Sequence, residues 1–142
     1  MTIGAILGGK AHDIISVIPT QSVRDTVALL AQKRIGAVPV MEGGQVVGIF
    51  SERDVIHALE EHGPAALDRT VSDVMTSPAI TVTPAEAVIG ALSLMTRRRI
   101  RHLPVVDAGQ VIGIVSIGDL VKYRIDRIEA DAEAMRAYIQ QA

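Results

Sequence analysis

The segment Pro39-Val40-Met41-Glu42-Gly43-Gly44-Gln45-Val46-Val47-Gly48-Ile49-Phe50-Ser51-Glu52-Arg53-Asp54 returns 65 residues later as Pro104-Val105-Val106-Asp107-Ala108-Gly109-Gln110-Val111-Ile112-Gly113-Ile114-Val115-Ser116-Ile117-Gly118-Asp119. Each copy reads as an apolar strand, a glycine-rich turn and an apolar return strand. Each ends in Ser-x-x-Asp, which starts a helix: the hydroxyl accepts a free helix N–H and the acid favours the helix dipole. The proline inside the first strand points to an edge position or a break in pairing.

The match extends outward from there. Ile15–Ile56 lies on Ile80–Val121 without a gap, with 16 identities in 42 positions. Arg34/Arg99 and Ile35/Ile100 are among them. The lead-in also repeats, at an offset of 68: Thr2-Ile3-Gly4-Ala5-Ile6-Leu7 against Thr70-Val71-Ser72-Asp73-Val74-Met75. Two copies that each leave an apolar face uncovered should pack about a pseudo-twofold axis.

Within a copy, β-branched Ile14–Ile18 reads as a buried strand. Val23, Val27, Leu30 and Ala31 recur at helical spacing, and Gly36 is expected to end that helix. In the second copy Thr83, Pro84 and Glu86 read as a capping box with proline at the first helical position. The helix after Ser51 should run to about Glu61 and stop at Gly63-Pro64. The expected fold is α/β: two β-α-β-β-α units in pseudo-twofold contact plus a long C-terminal helix. Residues 1–63 form the first repeat with its N-terminal segment. Residues 64–78 are a linker and lead-in, 79–123 the second repeat, and 124–142 a helical extension.

Composition narrows the chemistry. The chain has 142 residues, 14 Lys+Arg against 16 Asp+Glu, and no cysteine. Disulfides, zinc-thiolate sites and thiol nucleophiles are excluded. A formal charge of −2 and only three aromatics (Phe50, Tyr123, Tyr138) argue against nucleic acid, despite the basic run at 97–101. His57 and His62 are five apart, so one metal cannot take both from one helix face. There is no Gly-x-Ser-x-Gly, Gly-x-Gly-x-x-Gly or Walker spacing. No apolar run reaches the length of a membrane span, and Met1–Gly9 lacks the basic start of a signal peptide. The expected compartment is the cytoplasm.

These marks resemble the CBS domain, and the tandem pair resembles a Bateman module. The likeness covers roughly Thr2–Tyr123. It rests on the two Gly-x-x-Ser-x-x-Asp segments and on Val38-Pro39-Val40 and Leu103-Pro104-Val105. The free-standing pair looks like small stand-alone bacterial proteins of that family. The resemblance implies a regulatory, non-enzymatic module whose clefts hold AMP, ADP, ATP, NAD or S-adenosylmethionine, with AMP first and NAD(H) or ATP next.

On that likeness, Asp54 and Asp119 would accept from ribose hydroxyls, and Ser51 and Ser116 with the helix amides would receive phosphate. Adenine would lie against Val38-Pro39 and Leu103-Pro104, whose prolines leave a carbonyl free. Arg101 and His102, just before the second such strand, would face phosphate. Gly36 and Ala37 stand there in the first copy, so the sites should differ, with Arg53 a candidate cation. Each acid would work with the opening segment of the other copy: Asp54 with Thr76, Ala79 and Ile80, and Asp119 with Lys10, Ala11 and Ile14. Gly8-Gly9-Lys10 reads equally as a phosphate cradle or a flexible loop with one exposed lysine. In the competing reading the clefts stay empty and the Ser-x-x-Asp pairs serve only as caps in a structural dimer.

At the C-terminus, Val121, Ile125, Ile128, Ala132, Met135 and Ile139 fall in steps of 4, 3, 4, 3, 4. That is a heptad seam, flanked by charge. It predicts cover by a second chain, hence a homodimer.

Overall fold

The computed structural model describes residues 1–8 and 14–141. The first half contains α2 (Val23–Lys33), the hairpin β1 (Ala37–Glu42) and β2 (Gln45–Ser51), and α3 (Glu52–His62). The second contains α5 (Val88–Arg98), the hairpin β3 (His102–Asp107) and β4 (Gln110–Ser116), and α6 (Ile117–Gln141). Two short helices, α1 (Ile3–Leu7) and α4 (Val71–Val74), precede the halves. A 3-10 turn over Gly63–Asp68 links α3 to α4.

The hairpins form as the sequence predicts. Glu42 pairs with Gln45 across Gly43 and Gly44, whose φ angles are 59° and 78°. Positive φ at both central residues is what the tight hairpin turn requires. The second turn puts Ala108 there at φ 50°, before Gly109.

The stretch Ile14–Ile18, expected as a strand, is reduced to one parallel bridge between Val17 and Val40. Val82 and Val105 make the matching bridge. The Val17 N–H donates to the Pro39 carbonyl (3.1 Å) and receives the Met41 N–H on its own carbonyl (2.8 Å). Proline has no N–H, so the ladder cannot continue. The helix starts and stops also differ. Thr83 and Glu86 close a turn ahead of α5, which begins at Val88 after Ala87. The Pro84 and Glu86 carbonyls are occupied by the N–H groups of Gly4 and Ile3. α2 and α5 are ended by left-handed arginines, Arg34 and Arg99, both at φ 54°. Gly36 lies beyond the helix, against the His102 imidazole.

The packing cuts across the order of the chain. Ile3 belongs to the core of the second half, with Val88, Met95, Leu103 and Leu120. Val71 belongs to the core of the first, with Val23, Val38 and Phe50. The backbone follows: Ile3 N–H donates to Glu86 O (2.8 Å), and Val71 N–H donates to Gln21 O (2.8 Å). The lead-ins are therefore exchanged, each half being closed by the other's opening segment.

Two glycines admit these segments. A Cβ on Gly48 would lie 2.7 Å from Met75 Sδ and 2.9 Å from the Thr76 carbonyl oxygen. On Gly113 it would meet only the tip of Leu7, at 3.0 Å. Gly48→Ala should cost about 1–3 kcal/mol, because a hydrogen-bonded backbone must move. Gly113→Ala should cost less, because a leucine tip can turn aside. Urea unfolding midpoints of the two variants check this order.

Candidate functional site

Each return strand delivers a serine to the start of a helix, and three residues on an aspartate turns back to it. Asp54 Oδ2 accepts the Ser51 N–H (2.8 Å) and hydroxyl (3.1 Å). Asp119 Oδ2 accepts the Ser116 N–H (2.9 Å), and Ser116 Oγ accepts the Asp119 N–H (3.1 Å). The capping reading of both pairs thus holds, and it leaves the outer carboxylate oxygens to compare. Asp54 Oδ1 accepts the Thr76 hydroxyl (2.9 Å), from the lead-in of the other half. Asp119 Oδ1 has no partner among the described residues.

A cavity lies beside each pair. The first, about 230 Å³, is lined by Ile49, Ser51 and Arg53 from one half and by Thr76, Ile80, Arg99, Arg101 and His102 from the other. The second, about 420 Å³, is lined by Ile114, Ser116 and Asp119 and by Ile14, Ile15, Arg34 and Ala37. The pseudo-twofold exchanges Ile49 with Ile114, Ser51 with Ser116, Arg99 with Arg34, and Ile80 with Ile15. Each cleft therefore joins the serine of one half's Ser–Asp pair to the arginine-ended turn of the other; Asp119 lines the second cavity, whereas Asp54 lines neither.

Ser51, Arg53, Thr76, Ile80, Arg101 and His102 line the first cavity, and Ile14, Ser116 and Asp119 the second. Ala79 is half-buried and lines neither. Lys10 and Ala11 lie outside the described residues. Val38, Pro39, Leu103 and Pro104 have buried side chains that line neither cavity. The proline carbonyls expected to be free are already acceptors, of Val17 N–H (3.1 Å) and Val82 N–H (3.0 Å).

Arg34 and Arg99 were not among the expected site residues. Their signal was their identity in the repeat, and the left-handed backbone at each turns the chain into the cleft. Arg53 is aimed across the junction, donating to the Arg99 carbonyl at 2.8 Å.

His102 lines both cavities. Gly36 makes room for it: a Cβ there would lie 3.1 Å from the imidazole Cε1 and Nε2. Burial holds its pKa below the ordinary histidine value, with Arg101 acting the same way, while Glu52 and Asp119 pull it upward. The folded state thus favours the neutral ring. Stability from this residue is present above the unfolded value near 6.5 and is lost as pH falls through it, because the unfolded chain binds the proton more readily. Between about pH 7.5 and 5.5, His102→Asn should lose less stability than the natural chain, as read from urea midpoints.

Among the described residues no cluster of His, Asp and Glu could hold a metal, and no helix is long and apolar enough to cross a membrane.

The CBS domain family model matches residues 10–61 and 71–126. The chain is 37% identical over 124 residues to the mitochondrial CBS domain-containing protein CBSX3 of Arabidopsis thaliana, covering 84% of this chain and 60% of that protein. It is 33% identical over 107 residues to YhcV of Bacillus subtilis, covering 75% and 76%. A CBS-domain protein of Burkholderia ambifaria, described as a putative signal-transduction protein, superposes with a TM-score of 0.83 at 36% identity, covering 89% of this chain and 95% of that one. Several neighbours were solved with ligands. The Pyrobaculum aerophilum protein PAE2072 holds AMP (28% identity, TM-score 0.73, 84% and 89% covered). The CBS pair of MJ0100 holds 5′-methylthioadenosine and S-adenosylmethionine (25%, 0.79, 89% and 98%). With both repeats matched and their fold shared, this chain belongs to the CBS-domain family, as a tandem pair.

Proposed function

We propose that the chain is a non-enzymatic regulatory module that binds an adenine nucleotide between its halves, AMP first and NAD(H) or ATP next, and that it works as a homodimer. The observation that carries the reading is the recurrence of one arrangement in two places. A serine at a helix start faces a cavity completed by the arginine-ended turn of the other half, and in the second cavity its aspartate, Asp119, lines the wall as well. A carboxylate accepts from vicinal ribose hydroxyls, and helix amides with arginines receive phosphate. The AMP and S-adenosylmethionine complexes of neighbours at 28% and 25% identity support the ligand class.

In the first cleft Arg53, Arg99, Arg101 and His102 would face phosphate. In the second, Ser116 and Arg34 would face phosphate, with Asp119 on the ribose. Binding signals only if the ligand prefers one arrangement of the halves, since equal affinity for both shifts nothing. The competing reading, empty clefts with caps only, has one observation in its favour: both Asp54 oxygens are already engaged within the chain.

Thermal melting against AMP, ADP, ATP, NAD(H) and S-adenosylmethionine separates the two. A ligand at about 100 times its Kd adds about 2.7 kcal/mol of stability. That raises the midpoint by several degrees. No shift with any of them would favour the empty-cleft dimer.

A further inference from the structure

α6 runs for 25 residues, Ile117–Gln141, of which Leu120 alone is fully buried. Its seam faces outward: Val121, Ile125, Ile128, Met135 and Ile139 are 41–63% exposed. The flanks of that seam carry a pattern. Lys122–Asp126 and Arg127–Asp131 close ion pairs along the helix, at 3.7 and 3.8 Å. Arg124, Glu129 and Arg136, which border the seam, have no ion-pair partner among the described residues.

A second copy can cover the seam in two directions, and charge distinguishes them. Antiparallel helices that bury the whole seam set Glu129 against the partner's Glu129 and Asp131 against the partner's Asp131. Lys122 then meets the partner's Arg136. Every flanking contact between acids or bases is repulsive. Parallel helices in register place each flanking residue five positions from its partner across the seam. Arg124 then meets the partner's Glu129, and Asp131 meets the partner's Arg136, each twice by symmetry. All six seam residues are buried as well.

We propose that α6 docks on α6 of a second copy, parallel and in register, so that the two nucleotide modules lie side by side at one end of a two-stranded coil. This rests on the homodimer reading above and adds its direction and register.

The absence of native cysteine makes the test direct. Ile139→Cys places a single thiol near the end of the seam. Parallel helices hold the two thiols side by side. Full-seam antiparallel helices separate them by about 27 Å, at 1.5 Å per residue. The expected result is a dimer in sedimentation equilibrium that mild oxidation converts to a covalent dimer. Arg124→Glu should weaken association about tenfold, and adding Glu129→Arg should restore it, with circular dichroism confirming that the helix is intact. A monomeric natural chain would overturn the dimer reading itself. A dimer that leaves the Ile139→Cys thiols unlinked would overturn the parallel register alone.

Discussion

Asp119→Asn should weaken nucleotide binding in the second cleft by about 10- to 150-fold, and Asp54→Asn should do the same in the first. A hydrogen bond to a charged acceptor contributes about 1.5–3 kcal/mol. Each 1.4 kcal/mol is a factor of about ten in Kd. Asparagine keeps one oxygen for the serine N–H, so the cap survives and the loss reports on the ligand. The clefts start from different states. Asp119 Oδ1 has no partner among the described residues, so a ribose hydroxyl can dock there without displacing any of them. Asp54 must share or release the Thr76 hydroxyl held at 2.9 Å. Titration calorimetry on the single and double variants should therefore show the tighter site lost with Asp119, the weaker with Asp54, and both lost together. Unchanged heats in the double variant would return the aspartates to capping alone.

Ile3→Ala should be among the most damaging changes in the chain, although it lies at the third residue. Ile3 is 0% exposed and sits among Val88, Met95, Leu103 and Leu120, in the half built from the far end of the sequence. Truncating a buried isoleucine costs about 2–5 kcal/mol through lost transfer energy and the cavity left behind. At this chain length the melting midpoint should fall by roughly 10 °C. Ile139→Ala, on the exposed seam, should shift the monomer's stability by no more than about 0.5 kcal/mol. Val71→Ala is the symmetric counterpart and should behave as Ile3→Ala does. Equal, small effects for Ile3 and Ile139 would show that the lead-ins are not exchanged.

The duplicated segments Pro39–Asp54 and Pro104–Asp119 made most of the fold legible, because each element in them has a local cause. The Gly-Gly turn needs positive φ, the strands alternate with it, and Ser-x-x-Asp caps a helix whatever lies around it. The exchange of lead-ins was anticipated only through the family resemblance, which set each acid against the other copy's opening segment; the residues themselves showed just a change of offset from 65 to 68. Nothing local in Thr2–Leu7 states which half it will enter; that is fixed by the backbone acceptors of Pro84 and Glu86 and by the space beside Gly113. The same acceptors moved the start of α5 past its apparent capping box. Ile14–Ile18 has the composition of a strand, but the neighbouring proline denies it a second bridge. At the site, the serines and aspartates carried their chemistry in the sequence. Arg34 and Arg99 did not, since their reach into the clefts follows from a left-handed backbone at the helix end.

On the proposed function, paired Ser–Asp hooks, each closed by the other half, hold an adenosine compound. Crystals grown with saturating AMP test it most directly. The expected result is difference density with ribose hydroxyls on Asp119 or Asp54, and phosphate toward the arginines of the opposite half. Well-ordered density showing only water beside both carboxylates would contradict it.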